Sequence, residues 1–404
     1  MKTGEIYIQS PFLNFDQSAP KVVVSNLISG RSFEMGETVV SMLRFFKKPR
    51  SLDEFSQEFS AYSGHYQKII DFLYQRGLIY DAESPEAFTI GTVAVKNRLF
   101  GAGMLNPEKE ENRIVVTGIP FGKGHGRSAN AADFPDYLRE YAQRIGLQAL
   151  SNSGMPYLGP GLDYDNLKTV LKSLKDAGNI FINTNESTPF IYEKIYQVAR
   201  NLFEKGNRPV FIGGDHSVSF PLIRAAAEKY PDLHILHFDA HTDTYTSPYD
   251  QIDHVHKVHH YGNFMLHVLK LENVRKVWQF GIRGLHNALE TGRPKRTIYW
   301  AEELKSILAK GESIPDLSEN VPFYVTFDID VFDPPIAPGT ASPVVGGLDY
   351  SEIRTLLTSL LKNRNIIGAD LVEVHKQYDT GDVTVQLAIT VLLNLLSHFK
   401  VDNP

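Results

Sequence analysis

Three short segments concentrate the side chains able to do chemistry: Gly213-Gly214-Asp215-His216-Ser217, Asp239-Ala240-His241-Thr242-Asp243 and Asp328-Ile329-Asp330. His216, Asp239, His241, Asp243, Asp328 and Asp330 form the candidate set. A lone Asp-x-His or Asp-x-Asp is common in surface turns and says little. Here each segment directly follows a short apolar run, so all three belong at the ends of buried strands. Gathering four carboxylates there would cost several kcal/mol each without countercharge, and a pair of divalent cations meets that demand. Imidazole with carboxylate suits Mn(II), Ni(II), Fe(II), Co(II) or Zn(II). The chain has no cysteine, which excludes thiolate nucleophiles, Cys-ligated zinc, iron-sulfur clusters and disulfides.

The elements that must position these groups read as alternating strands and helices. Apolar runs at Ile114 to Thr117, Pro209 to Ile212, His234 to Phe238, Val277 to Phe280, Tyr324 to Phe327 and Ile366 to Leu371 predict buried strands. Tyr192 to Lys205, Phe220 to Lys229 and Tyr350 to Lys362 predict helices between them. This alternation defines an α/β domain, a doubly wound parallel sheet whose ligands gather at the C-terminal strand ends. Residues 1–84 read differently. A strand pattern at Val22 to Val24 precedes a helix from about Gly36 to Phe46; Ser51 and Glu54 form a capping-box pattern; a helix from Tyr66 to Arg76 places Ile69, Ile70 and Leu73 on one face and stops at Gly77. With Leu78-Ile79-Tyr80 as a wing, this segment is expected to be a small winged helix-turn-helix-like α+β domain. A linker over 85–112 and a catalytic domain over 113–404 complete the expected organisation.

GGDHS, DAHTD and FDIDVFDPPIAPGTASP resemble the signature blocks of the ureohydrolases, the family of arginase, agmatinase and formiminoglutamase. Gly118-Ile119-Pro120-Phe121, Gly281-Ile282-Arg283, Gly346-Gly347-Leu348 and Asp370-Leu371-Val372-Glu373-Val374 extend the likeness over the last three-quarters of the chain. The resemblance implies an arginase-like three-layer fold and two divalent metal ions, Mn(II) first, with Ni(II) or Fe(II) as alternatives. It implies that His216 and Asp243 hold one ion, His241 and Asp330 the other, and that Asp239 and Asp328 bridge them. Two such cations lower the pKa of a shared water and yield a nucleophile for the guanidinium carbon. Glu373 would receive the guanidinium through paired N–H donors. His260 aligns with the proton shuttle and His259 comes second, although Tyr261 stands where the pattern has Gly. A further departure is His375-Lys376 in place of the arginase Asn-Pro, while Asp379 keeps its expected position. The family habit is a homo-oligomer.

The substrate is less constrained. The loop TYTSPYDQIDHVHKV after the second metal segment lacks the arginase Ser-Gly-Asn stretch, and Tyr245, Pro248 and Tyr249 imply a mouth unlike that for free arginine. Residues 1–84 resemble the precursor-recognition domains of ribosomal-peptide biosynthesis, which bind a leader peptide as an added strand. The leading expectation is therefore a peptide arginase, converting peptidyl-arginine to peptidyl-ornithine plus urea, with the precursor peptide as partner. The alternative is hydrolysis of a free small guanidino substrate: agmatine, guanidine or a guanidino acid. A non-catalytic peptide-binding scaffold is opposed by the complete ligand set, and a metal-dependent deacylase by Glu373 with its paired bridging carboxylates.

Lys and Arg total 41 against 47 Asp and Glu, a net charge of -6, with no basic run for nucleic acid. Lys68 and Arg76 on the small domain are opposed by Asp53, Glu54, Glu58 and Asp71, so a DNA-binding role is not expected. No apolar stretch is long enough to span a membrane and no signal-like N-terminus is present, so a cytoplasmic location without membrane partner is expected.

Overall fold

Each of the six predicted apolar runs is a strand, and these six with two more run parallel in one sheet. In the computed structural model they are β1 (Ile114–Gly118), β2 (Lys175–Ile180), β3 (Arg208–Ile212), β4 (Leu233–Phe238), β5 (Val274–Ile282), β6 (Arg296–Trp300), β7 (Pro322–Asp328) and β8 (Asn365–Val372). The order across these eight strands of the sheet is β6-β5-β4-β7-β8-β3-β1-β2, with every neighbouring pair parallel. All of β1 is buried, as expected of a strand covered on both faces. The structure describes the chain outside residues 1–5, 11–12, 18–20, 27–30, 63, 83–90, 107–109, 125–129, 148–157, 161, 184, 246–258, 286–293, 313–316, 318–320 and 402–404.

Register levels the strand ends. Ile212 pairs with Leu371, Leu371 with Phe327, and Phe327 with Phe238, so one row crosses β3, β8, β7 and β4. The residues that continue beyond this row are those with chemistry. Along the same row, Phe327, Phe238, Phe280 and Tyr299 stack on adjacent strands with centroids 5.1 to 5.3 Å apart, a cross-strand ladder that fixes register by packing. Helices Tyr350–Leu361 and Val383–Leu396 join the sheet in one apolar core. The first starts on an Asp349–Glu352 capping box. β2 and β6 were not among the predicted runs. β2 carries Asp176 and Asn179, which receive the buried Arg139 guanidinium, and β6 is a half-buried edge strand.

The chain divides into two compact units, residues 1–94 and 95–404. The smaller has its own core, built on Val24, Met35, Leu43, Phe46, Phe55, Ile70 and Leu73. One three-stranded antiparallel sheet joins Leu13–Asp16, Val22–Asn26 and Arg31–Met35. Helices Glu37–Phe45, Leu52–Glu58 and Tyr66–Gln75 follow, the second opened by the expected Ser51–Glu54 capping box. The segment expected as a wing gives the strand Ile79–Asp81, which pairs antiparallel with Ile6–Gln9 in a sheet that also includes Arg50–Ser51. No helix among the described residues is long and apolar enough to cross a membrane.

Candidate metal centre and active site

The site begins where β3 ends. A Cβ on Gly214 would lie 1.5 Å from the Phe121 carbonyl oxygen, so only glycine lets this turn close on the loop after β1. The Asp215 amide then donates to that carbonyl at 3.0 Å, and His216 opens a short helical turn at the level of the strand ends. β4 delivers Asp239, His241 and Asp243, and β7 delivers Asp328 and Asp330. Asp243 is held at φ 48°, a left-handed conformation that costs a non-glycine residue about 1 kcal/mol or more and is found where a side chain must be aimed.

The structure brings all six candidate side chains together. His216 Nδ1 lies 3.0 Å from Asp239 Oδ2 and 3.1 Å from both Asp243 Oδ2 and Asp328 Oδ2. His241 Nδ1 lies 3.0 Å from Asp330 Oδ2 and 3.3 Å from Asp239 Oδ1. Asp239 therefore faces both imidazoles, one with each oxygen. Two groups of donor atoms suit a metal ion: His216, His237, Asp239 and Asp243, and Asp239, His241 and Asp330.

Electrostatics makes the same demand. Burial pushes the Asp328 carboxyl well above the usual carboxylate range, with Asp330 and Asp239 adding repulsion. Burial, and then Asp239, raises Asp243 to about 7. Burial opposes charge on His216, but Asp239, Asp243 and Asp328 outweigh it and hold the imidazole well above its ordinary range. The array thus calls for positive charge at its centre. A proton on His216 does not satisfy it geometrically, because among the described residues the buried Nδ1 makes no well-formed hydrogen bond although three carboxylate oxygens lie 3.0 to 3.1 Å away. Lone pairs converging on a common point are what a divalent cation requires, so the residues fit a metal centre.

Supporting contacts fix the donors. His216 Nε2 meets Thr326 Oγ1 at 2.9 Å, and Thr326 donates to Asp370 at 2.7 Å, which also accepts from Ser219 and Tyr324. This chain turns Nδ1 of His216 toward the carboxylates. His237 was not singled out in the sequence. Its Nε2 lies 2.8 Å from Asp239 Oδ2, and its Nδ1 2.8 Å from Gln279 Nε2. The signal was available, since residues two apart near a strand end share a face. Arg283, after β5, buries its guanidinium among the carbonyls of Gly281, Asp330, Val331, Phe332 and Val344. It ties down the backbone that carries Asp330. Lysine cannot reproduce that fork. Arg283→Lys is expected to weaken metal retention about 10- to 100-fold, read by chelator competition; unchanged retention would show that the loop holds itself.

Glu373 follows β8 at φ 63° and is nearly buried. Its Oε1 accepts the His216 amide at 2.9 Å, and its Oε2 lies 2.9 Å from His375 Nε2. The segment from His260 to Met265 is pinned to the metal loop, with the Tyr245 amide on Gly262 O at 2.9 Å and the Met265 amide on Asp243 O at 3.1 Å. His260 sits in this turn, its Nδ1 accepting from Gly262 N at 3.2 Å. His259 is packed against Tyr192 and Phe220 instead, and burial, followed by His267 and His260, lowers its pKa to about 3. His254, His256, Pro248 and Tyr249 lie outside the described residues.

Residues 112–397 match the arginase family. The agmatinase of Bacillus subtilis is 33% identical over 304 residues, covering 72% of this chain and 94% of its own length, and that of Proteus mirabilis 31% identical over 292 residues, covering 72% and 88%. Proclavaminate amidino hydrolase from Streptomyces clavuligerus superimposes with a TM-score of 0.61 at 26% identity, over 76% of this chain and 97% of that one. The chain belongs to the arginase family and is a metal-dependent ureohydrolase acting on a guanidino group.

Proposed function

We propose that the chain hydrolyses a small, agmatine-like guanidino compound to urea and an amine. The observation that carries this reading is the hydrogen bond from the His216 amide to Glu373 Oε1, which sets the guanidinium acceptor against a metal ligand. The agmatinase relatives support a small substrate over a peptidyl one. His216 and Asp243 would hold one ion, His241 and Asp330 the other, with Asp239 and Asp328 shared; Mn(II) is the first choice and Ni(II) or Fe(II) the alternatives. When bound, the two cations supply Lewis-acid activation of water. The chain's own groups do the rest. Glu373 receives the planar guanidinium through two N–H donors and orients its carbon. His260 supplies the proton to the departing nitrogen as the C–N bond breaks.

A second reading keeps the peptide arginase. It is favoured by the first 94 residues, a unit with its own apolar core that lies outside the part matched to the arginase family. There a winged helix-turn-helix-like domain would present a sheet edge to a leader strand. Mass spectrometry of metal-loaded enzyme with agmatine, arginine, guanidine and an arginine-containing, leader-bearing peptide separates the two. Release of urea from agmatine with the peptide untouched is the expected result. A peptide mass loss of about 42 units, arginine to ornithine, would overturn the small-substrate reading in favour of the second.

A further inference from the structure

We propose that His375 is a positioning residue that holds the Glu373 carboxylate in the plane needed to receive a guanidinium; this rests on the reading of Glu373 as guanidinium acceptor. The sequence departs from the arginase pattern at this position, and the structure gives the departure a partner. The His375 side chain is fully buried, with Nε2 2.9 Å from Glu373 Oε2. An ionised carboxylate only accepts, so Nε2 carries the proton and donates it to Oε2. The other oxygen, Oε1, accepts the His216 amide at 2.9 Å. The carboxylate is thus held at both ends, by the backbone of a metal ligand on one side and by an imidazole on the other.

The backbone that carries the imidazole is itself anchored. The His375 amide donates to Gly339 O at 2.8 Å, and the Gly339 amide donates to Thr384 Oγ1 at 2.8 Å. Glu373 is constrained at its backbone too, its amide donating to Gly214 O at 3.0 Å in a left-handed conformation. A glutamate side chain has three rotatable bonds and loses affinity for a planar, two-pronged cation when it wanders out of plane. Two fixed donors on opposite oxygens leave it one orientation.

The test uses the full-length, metal-loaded enzyme and agmatine, comparing His375→Gln, which keeps a donor, with His375→Leu, which keeps bulk without one. His375→Leu is expected to lose about 10- to 100-fold in kcat/KM, mostly through KM, with bound metal unchanged, and His375→Gln to recover a large part of the loss. Equal kcat/KM for the two variants, whether both high or both low, overturns the proposal. Binding of guanidinium chloride, followed by calorimetry, reads the clamp without turnover: tighter binding by the Gln than by the Leu variant supports it, and equal binding overturns it. Wild-type enzyme inactive on every guanidino compound would sink the proposed function, while the calorimetric comparison would still decide the role of His375.

Discussion

Asp239→Asn is expected to give a folded protein that loses metal and turnover together. Asp239 meets His241 through Oδ1 and both His216 and His237 through Oδ2, and it is the residue common to the two groups of metal donors. Changing the carboxylate to a carboxamide removes its full negative charge and would take an oxygen donor from one of the two groups it belongs to. Loss of contacts that merely support a ligand costs about 10- to 100-fold in metal affinity, so loss of a shared ligand should exceed that. Metal content by mass spectrometry and agmatine turnover, measured on the same preparation, would check it. Full metal content with full turnover would remove Asp239 from the centre.

Glu373→Gln should separate binding of the ions from binding of substrate. The carboxylate accepts from the His216 amide and from His375, so a glutamine must turn its NH2 toward one of these partners and keeps both contacts only if the His375 imidazole changes tautomer. It also leaves a guanidinium without its opposite charge in a buried site. Truncating a buried, hydrogen-bonded charge pair costs about 2–5 kcal/mol, hence a fall in kcat/KM of more than tenfold, with metal content intact. Wild-type kcat/KM in this variant would place the guanidinium elsewhere.

The strands around the centre were readable in the sequence because they are continuous apolar runs that end in polar residues, and β3, β4, β7 and β8 all have this form. β2 was not, since Lys175-Asp176-Ala177-Gly178-Asn179 lacks an apolar run and its polar residues serve a buried contact to Arg139 from another part of the chain. The small unit shows the same limit. Its capping box and helices are local and were legible, whereas the partner of Ile79–Asp81 lies some seventy residues away in Ile6–Gln9 and leaves no mark in the neighbouring sequence. At the site, His216, Asp239, His241, Asp243, Asp328 and Asp330 stood out by type and spacing and Glu373 only through the ureohydrolase resemblance, and the structure gathers all seven at neighbouring strand ends. The contribution of Arg283 was not, because it bonds to backbone carbonyls, which carry no residue identity. Nor could spacing separate His259 from His260; packing against Tyr192 and Phe220 distinguishes them.

The sequence distance between the partners has a consequence for how the protein is made. His216 and Glu373 are 157 residues apart, and their contact depends on β8 settling between β3 and β7. Such pairing is slow, because a long stretch of chain must be closed before any contact rewards it. No fragment ending before β8 can hold the finished site. During synthesis, the first two ligand-bearing strands emerge well ahead of the last, and the emerging chain exposes unpaired apolar edges until the sheet is complete. Ions that bind the assembled centre then favour the completed fold over its precursors by mass action.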